Sequence, residues 1–304
     1  ATSGANIINI FYRRRYCKTK LTLHIDFKKH MPPILLLFSL ILSQTIYTSS
    51  DTTILGLVKG DFQVGLYSTS VKIYNIVNTV VASVAWVVMP QLSNAFPKKE
   101  YSKINGLLKY SLNFIVVLGL PCLVGLNVAT NEIIMLIAGE SYLGAAISLR
   151  ILTISLACSF ISGWIGNMMM LPAGKEKICL ISSMVSAVIN IVLNLILIPI
   201  WGLNAAAATT AISEFVGIFV KLPFIDKNIK IVEPIQIFLA PIIGCVGIVA
   251  VSVFIRFIVT SPYLIAIFTI LVSAVVYVAI LIICRNEFTM NFIRPVINRL
   301  KRSE

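Results

Sequence analysis

The chain has 304 residues, of which 58% are hydrophobic and only 12% are charged, and its mean hydropathy is +0.94. Soluble domains carry about 25% charged residues, so this composition excludes a soluble protein and predicts an all-α, polytopic transmembrane helix bundle. Six scattered cysteines without CxxC spacing, and two histidines in one basic segment, predict neither a disulfide framework nor a metal site. The net charge is +13.

The first eleven residues, ATSGANIINIF, amount to half a membrane span and are followed directly by arginines. The order of charge and apolar run is the reverse of that in a cleavable signal peptide. We therefore expect residues 1–11 to be the end of a truncated transmembrane helix, and the chain to be the C-terminal part of a longer protein.

Eight later segments are long and apolar enough to cross a bilayer as helices. Between the third and fourth, residues 130–144 are too short to span and are typical of an interfacial segment. The predicted spans cover about 33–57, 65–90, 110–129, 145–171, 178–198, 205–222, 237–257 and 263–284.

The second span carries polar residues at steps of three or four, which places them in one stripe along a helix. Lysine and asparagine are costly where they face lipid, so this stripe is predicted to face other helices or a wet cavity. The helix is interpreted as one wall of a polar pathway. The stripe consists of Ser68, Lys72, Asn75, Thr79 and Ser83.

Ionisable and amide side chains also lie within other spans. Asp51 lies near the far end of the first span, and Arg150 lies near the start of the fourth. Asn190 and Asn194 belong to a polar stripe of the fifth span, and Glu214 lies in the inner third of the sixth.

Basic residues are concentrated in alternate connections, which is the positive-inside pattern of membrane proteins. Segment 12–30 holds seven Lys and Arg, 98–109 four, 175–177 two, 221–230 three and the tail 285–304 five, so 21 of 25 lie on one predicted side. This placement explains the net charge without nucleic acid. It predicts that both ends of the chain face the cytoplasm.

Several stretches resemble bacterial polysaccharide flippases of the Wzx type, in the MATE-like (MOP) exporter superfamily. The run 171–212, LPAGKEK followed by INIVLNLILIPIWGLNAAAATTAIS, is the most specific. Upstream, SDTTILGLVKGDFQVGLYSTSVKIYNIV, VMPQLS and the interfacial EIIMLIAGESYLGAAI are also similar. Ala205 stands where a glycine is common in the family, and alanine also allows close helix approach.

The resemblance implies two six-helix lobes around a cavity that opens alternately to each side, followed by two extra helices. Residues 33–224 would form the second lobe and 236–284 the extra pair. A basic linker at 12–32 would precede the second lobe, and a cytoplasmic loop at 225–235 would connect it to the extra pair. A basic tail at 285–304 would follow the pair. On this mapping, five and a half helices of the first lobe would be absent from these 304 residues.

The implied function is flipping of an undecaprenyl-pyrophosphate-linked oligosaccharide, an O-antigen or capsule repeat unit, across the bacterial inner membrane. The partners would be this lipid-linked oligosaccharide, the bilayer and other polysaccharide assembly proteins. No cofactor is implied, although H⁺ or Na⁺ would serve as the coupling ion.

Lys72 and Arg150 are predicted to lie at similar depth, where both would meet the substrate phosphate. The alternative for Lys72 is snorkelling or pairing with Asp51, and for Arg150 snorkelling alone. Asp51 is predicted to form that ion pair or to be a titratable coupling site.

Glu214 is assigned either to ion coupling, for which a buried carboxylate is suited, or to a structural hydrogen bond. Asn75, Asn190 and Asn194 are candidates for glycan contact, with helix–helix hydrogen bonding as the alternative.

Three other functions compete with this interpretation. An ion-coupled drug efflux pump would favour acidic and aromatic cavity residues, whereas a lipid II flippase would also need cations. A glycan polymerase or acyltransferase would need catalytic groups in a large outer loop, and the outer connections here are short and lack histidine.

Overall fold

The structure is a computed structural model that describes residues 27–230 and 234–291. The truncated helix predicted for residues 1–11, most of the basic linker and the end of the tail lie outside the described residues. The chain divides into two units, residues 1–38 and 39–304. In the first unit, residues 27–38 are helical and include Pro32 and Pro33.

The described chain is all-helical, and its helices coincide closely with the apolar segments of the sequence. Inside a bilayer no water is available to the backbone, so an apolar segment forms a helix, in which its own N–H and C=O groups pair with one another. The helices are α1 (Phe27–Lys59), α2 (Asp61–Ala82), α3 (Val84–Ala95), α4 (Tyr101–Val128), α5 (Thr130–Ala138), α6 (Ala146–Trp164), α7 (Glu176–Trp201), α8 (Leu203–Lys221), α9 (Pro234–Ile258) and α10 (Pro262–Ile283).

Within residues 27–230 and 234–291, seven helices are long and apolar enough to span a membrane, and the count rises to eight if α2 and α3 together form one bent span. The predicted all-α class is confirmed. The interfacial segment forms the short helix α5 followed by a 3₁₀ turn, Glu140–Ala145. A π-helical turn, Ile165–Met170, extends α6.

The predicted second span is not one straight helix, because α2 and α3 meet at Ser83 with a bend of 41°. The Ser83 hydroxyl donates to the carbonyl of Val80 at 2.7 Å, and the Thr79 hydroxyl donates to that of Asn75 at 2.7 Å. Such back-bonding competes with the helical hydrogen bonds and bends helices.

The connections that carry basic residues lie at one end of the bundle, and the connections at Gly60 and Gly202 lie at the other end. Gly60 joins α1 to α2 and Gly202 joins α7 to α8, both at positive φ, and the Gln63 Oε1 accepts a hydrogen bond from the Leu203 amide at 3.1 Å. At the other end, Tyr101 donates to Asp226 at 3.0 Å and Lys175 to the Phe224 carbonyl at 2.7 Å. The basic connections 96–100, 171–175 and 222–230 therefore share one end, as the charge pattern predicts.

Helices α9 and α10 pack as a pair against α4. Gly244 lets the ring of Tyr277 approach the α9 backbone, and the Tyr277 hydroxyl donates to the carbonyl of Val117 on α4 at 2.7 Å. Arg256, near the end of α9, forms an ion pair with Glu132 of α5 at 3.0 Å. The pair is thus attached to the bundle at its middle and at one end.

Candidate functional site

The polar stripe predicted for the second span lies on the exposed side of α2. Lys72, Asn75 and Thr79 are exposed, whereas Tyr67 and Ser70 on the other side are buried. Among the described residues, no carboxylate lies within ion-pair distance of Lys72. The stripe therefore presents one cation, flanked by amide and hydroxyl groups, on a side of the helix that stays exposed in this chain.

Lys72 and Arg150 lie at one level of the bundle but on opposite sides of it. The Ser70 hydroxyl of α2 lies 2.8 Å from the Ser148 hydroxyl of α6, and these helices run in the same direction. Lys72 and Arg150 each follow their serine by two residues, which is a rotation of about 200° on a helix. Both cations therefore point away from the α2–α6 contact, in opposite directions, and do not form one phosphate site within this chain.

Asp51 is buried at 4% exposure and is not paired with Lys72, contrary to the ion-pair prediction. Its Oδ2 accepts hydrogen bonds from the Tyr67 hydroxyl at 2.8 Å and the Thr210 hydroxyl at 2.6 Å. Its Oδ1 accepts from the Asn194 amide at 2.6 Å. The side chain points into the bundle, toward α7 and α8, and three neutral donors hold its carboxylate.

Asn190 and Asn194 are both fully buried, so neither lies on a surface that a glycan reaches in this chain. The Asn194 amide donates to the Asn190 Oδ1 at 3.0 Å, and the same oxygen accepts from the Ser50 hydroxyl at 2.8 Å. The Asn194 Oδ1 accepts from Thr209 at 2.5 Å. Both asparagines therefore support Asp51 and join helices, which was the alternative to glycan contact.

These side chains form one connected group, the Asp51 cluster. It brings together carboxylate, amide and hydroxyl oxygens from four helices, which are ligands that hard cations prefer. One polar atom of the group, the Nδ2 of Asn190, is buried without a hydrogen-bond partner. The cluster consists of Ser50, Asp51, Tyr67, Asn190, Asn194, Thr209 and Thr210.

Glu214 lies apart from the Asp51 cluster, in the wall of a cavity of about 290 Å³. Tyr47 and Ser162 are close to its carboxylate, and Lys221 lies within electrostatic range. Because Lys221 lines the same cavity, the acidic and basic groups of α8 share one polar space inside the bundle.

Sequence reasoning missed Tyr67, which is among the largest fully buried side chains and donates to Asp51. A tyrosine in an apolar helix carries little signal by itself, because aromatic residues are common in membrane spans. Tyr67 precedes Ser70 by three residues, and this helical spacing places both side chains on the buried side of α2.

Sequence comparison supports a relation to glycan flippases. Residues 7–147 match the protein family described as polysaccharide biosynthesis protein. Over 185 residues the chain is 25% identical to the probable low-salt glycan biosynthesis flippase Agl15 of Haloferax volcanii. That match covers 61% of this chain and 39% of the relative.

The fold is similar to that of solved transporters. A lipid II flippase, MurJ in an inward closed conformation, superposes with a TM-score of 0.68 at 22% identity, covering 93% of this chain and 59% of MurJ. An outward-facing MATE multidrug transporter gives 0.54 at 15% identity, covering 85% of this chain and 65% of its own. A MOP-superfamily transporter from Pyrococcus furiosus, described as having a binding pocket of reverse polarity, gives 0.53 at 14% identity, with 84% and 65% covered.

The chain spans less than two thirds of the length of each of these proteins. The apolar helices and the relatives identify a multi-pass membrane protein, and the predicted resemblance is confirmed. The chain is similar to polysaccharide-biosynthesis flippases, and its fold is that of MOP-superfamily transporters.

Proposed function

We propose that the chain is the second lobe of a transporter that flips an undecaprenyl-pyrophosphate-linked oligosaccharide, an O-antigen or capsule repeat unit. The movement is from the cytoplasmic to the outer leaflet of the bacterial inner membrane, by alternating access of two lobes. The basic end of the bundle then faces the cytoplasm, as the positive-inside rule requires.

The observation that carries this proposal is the exposed stripe of α2. A pyrophosphate carries negative charge and a glycan offers hydroxyl groups, so the substrate needs a cation and hydrogen-bonding side chains at membrane depth. Lys72 supplies the charge as a compact ammonium, and Asn75 and Thr79 supply polar groups beside it. Arg150 points elsewhere and is left out of this contact.

The Asp51 cluster is proposed as the coupling-ion site, with Na⁺ as its occupant. It brings together the Asp51 carboxylate of α1, the amide oxygens of Asn190 and Asn194 on α7, and two threonine hydroxyls of α8. The carboxylate lacks an ion-paired cation among the described residues. A monovalent cation there would compensate the carboxylate and tie α1 to α7 and α8. Release of the ion would loosen the same contact, which is the kind of bistable element that alternating access requires.

The test uses the full-length gene in cells that lack the native copy, with surface polysaccharide and membrane abundance scored together. Lys72→Ala should lower surface polysaccharide about tenfold or more at normal abundance, whereas Lys72→Arg should retain much of it. Lys59→Ala is the matched control, because it removes the same charge from an exposed lysine at the end of α1. Normal surface polysaccharide in Lys72→Ala would refute the proposed phosphate contact.

A lipid II flippase is the second candidate, favoured by the TM-score of 0.68 with MurJ against 0.54 for the MATE transporter. Lipid II also carries a pyrophosphate, so Lys72 would serve either substrate. Rescue of a strain depleted of its lipid II flippase, without effect on surface polysaccharide, would favour this function. The drug-efflux and enzyme alternatives have less support, because the exposed cation of α2 suits an anionic substrate and the similar proteins include a glycan flippase.

A further inference from the structure

A cavity of about 280 Å³ lies between α4, α9 and the turn that follows α10. All three helices reach the basic end of the bundle here, because α4 follows the 96–100 connection, α9 follows the 222–230 connection and α10 leads into the basic tail. The part of the wall that α9 contributes is apolar, whereas α4 and the turn contribute polar and charged side chains. Basic pockets between helices at the membrane surface are typical sites for lipid head groups.

The chain turns sharply after α10, and an arginine occupies the centre of the turn. The Asn286 amide donates to the Leu281 carbonyl at 2.9 Å, and the Arg285 amide donates to the Ile282 carbonyl at 3.0 Å. These two hydrogen bonds form a Schellman motif, whose left-handed position is usually glycine because a Cβ is crowded there. Arg285 takes that position at φ 51°. The strain alone does not indicate a ligand, but this arginine also borders the cavity.

The charged side chains of the cavity wall leave one positive charge in excess. Lys109 of α4 forms an ion pair with Glu287 at 3.1 Å, and its side chain is only 29% exposed. Among residues 27–230 and 234–291, no carboxylate lies within ion-pair distance of Arg285. Because Lys109 and Glu287 balance each other, the guanidinium supplies the net charge. A phosphate diester carries one negative charge, so one anionic head group would neutralise the site.

Contacts on both sides of Arg285 hold the turn against α4. The Phe288 ring packs against that of Tyr110, with 5.4 Å between their centroids. Asn286 is buried, and its Oδ1 accepts a hydrogen bond from the Thr289 amide at 3.1 Å, which caps the next helical turn. The arginine backbone is therefore fixed beside the cavity before a ligand binds, which lowers the entropic cost of binding.

Exposed apolar side chains lead away from the cavity along α9. Leu239, Ile243 and Val246 follow one another at helical spacing and are 58%, 44% and 65% exposed. Leu239 and Ile243 also line the cavity. Since α9 starts at the basic end, this apolar strip runs from the level of the cavity toward the middle of the bilayer. An acyl chain whose head group lies at Arg285 would lie along it.

We propose that this cavity binds one phosphatidylglycerol molecule of the cytoplasmic leaflet, with its phosphate on Arg285 and an acyl chain on the apolar strip of α9. The excess positive charge selects an anionic lipid, because phosphatidylethanolamine brings its own ammonium group and would leave the site uncompensated. The bound lipid joins the end of α10 to α4 and α9. Its binding does not depend on what the protein transports, and only the choice of leaflet rests on the orientation given in the proposed function.

The first experiment measures lipid binding by native mass spectrometry of the full-length protein after removal of lipid in detergent. The wild type should retain one phosphatidylglycerol, bound more tightly than phosphatidylethanolamine with the same acyl chains. Arg285→Gly should weaken phosphatidylglycerol binding about tenfold and abolish the preference, whereas Arg285→Lys should keep much of it, because a lysine still supplies a point charge. Equal binding of the two lipids by the wild type, or an unchanged preference in Arg285→Gly, would overturn the proposal.

Lys99→Gly is the matched control. Lys99 is exposed, has φ 55° and lies in another connection of the basic end, so the change also removes one charge from a left-handed residue. Without lipid, both glycine variants should unfold at or above the wild-type temperature, since glycine adopts this conformation without strain. Added phosphatidylglycerol should raise the unfolding temperature of the wild type and of Lys99→Gly, but not that of Arg285→Gly. Loss of this increase in both variants would indicate a general charge effect and refute the assignment to this cavity.

A further measurement distinguishes a lipid from a free phosphate compound. If the ligand is a lipid, Ile243→Asn should weaken phosphatidylglycerol binding, and millimolar glycerol phosphate should not displace the lipid. Ile270→Asn is the control, because it makes the same change at a residue of α10 that is 50% exposed and lies outside the cavity wall. Displacement by glycerol phosphate, together with equal binding by the two asparagine variants, would show an anion site without a lipid chain and refute the proposed occupant.

Discussion

Replacing Asp51 with alanine should destabilise the bundle by about 3 kcal/mol. The carboxylate accepts three hydrogen bonds, from Tyr67, Thr210 and Asn194. Hydrogen bonds between helices in membranes contribute about 0.6 kcal/mol each on average and at most about 1.7, so three contribute about 2 to 5 kcal/mol. Asp51→Asn should cost less, about 1 kcal/mol. The amide oxygen still accepts hydrogen bonds from the Tyr67 and Thr210 hydroxyls, whereas the new NH₂ group faces the NH₂ group of Asn194, so that one hydrogen bond is lost.

The measurement is the free energy of unfolding from SDS titration of the protein in bicelles. Thr48→Ala is the control on the same helix, because the Thr48 hydroxyl is exposed and bonds only to carbonyls of its own helix. We expect this control to lie within about 0.5 kcal/mol of the wild type. An Asp51→Ala protein as stable as Thr48→Ala would refute the structural role of the carboxylate.

A double-mutant cycle tests whether the Tyr67 hydroxyl stabilises the protein through Asp51. Thr210 has a second acceptor, the Ala206 carbonyl at 2.9 Å, whereas the nearest alternative for the Tyr67 hydroxyl is Thr210 at 3.5 Å. Tyr67→Phe should therefore cost about 1 kcal/mol in the wild type and close to nothing in the Asp51→Ala background. Equal costs in both backgrounds would show that the two residues are not coupled.

Two further predictions concern other parts of the bundle. Gly244→Ala should destabilise the protein by about 1 to 3 kcal/mol in the same titration, because a Cβ there would lie 2.5 Å from the Tyr277 ring. Gly125→Ala is the control and should be neutral or stabilising, because nothing lies within 4 Å of its Cβ position. Hydrogen bonds from the Asn228 backbone and from Tyr101 lower the pKa of Asp226, so its stabilising contribution is present above the ordinary carboxyl pKa and is lost as the pH falls through the lowered value. Asp226→Asn should reduce the loss of stability of this end below pH 4, measured by hydrogen exchange of the 222–230 connection; an unchanged pH profile would contradict it.

Hydropathy predicted the helices well because a bilayer leaves an apolar segment few alternatives. Every predicted span after residue 33 corresponds to helical structure, and the charge pattern correctly grouped the basic connections at one end. The bend at Ser83 was not predicted, because it arises from hydroxyl groups that bond to the backbone and not from a break in the apolar pattern.

The candidate site was predicted less well, because sequence gives the depth of a residue along its helix but not the direction in which it faces its neighbours. Lys72 and Arg150 do lie at one level, yet they point in opposite directions. Asp51 was expected to meet Lys72, but it turns toward α7 and α8. Rotation between helices is decided by packing over the whole bundle, which a pattern within one helix does not contain.

The attachment of α9 and α10 has a consequence for any conformational cycle. The Tyr277–Val117 hydrogen bond and the Arg256–Glu132 ion pair fix the pair to α4 and α5 at two heights. Two contacts at different heights oppose both sliding and tilting of the pair relative to α4, so we expect the three helices to move as one rigid unit. The surface between α4 and this pair would then keep its shape in any conformational change in which the other helices rearrange.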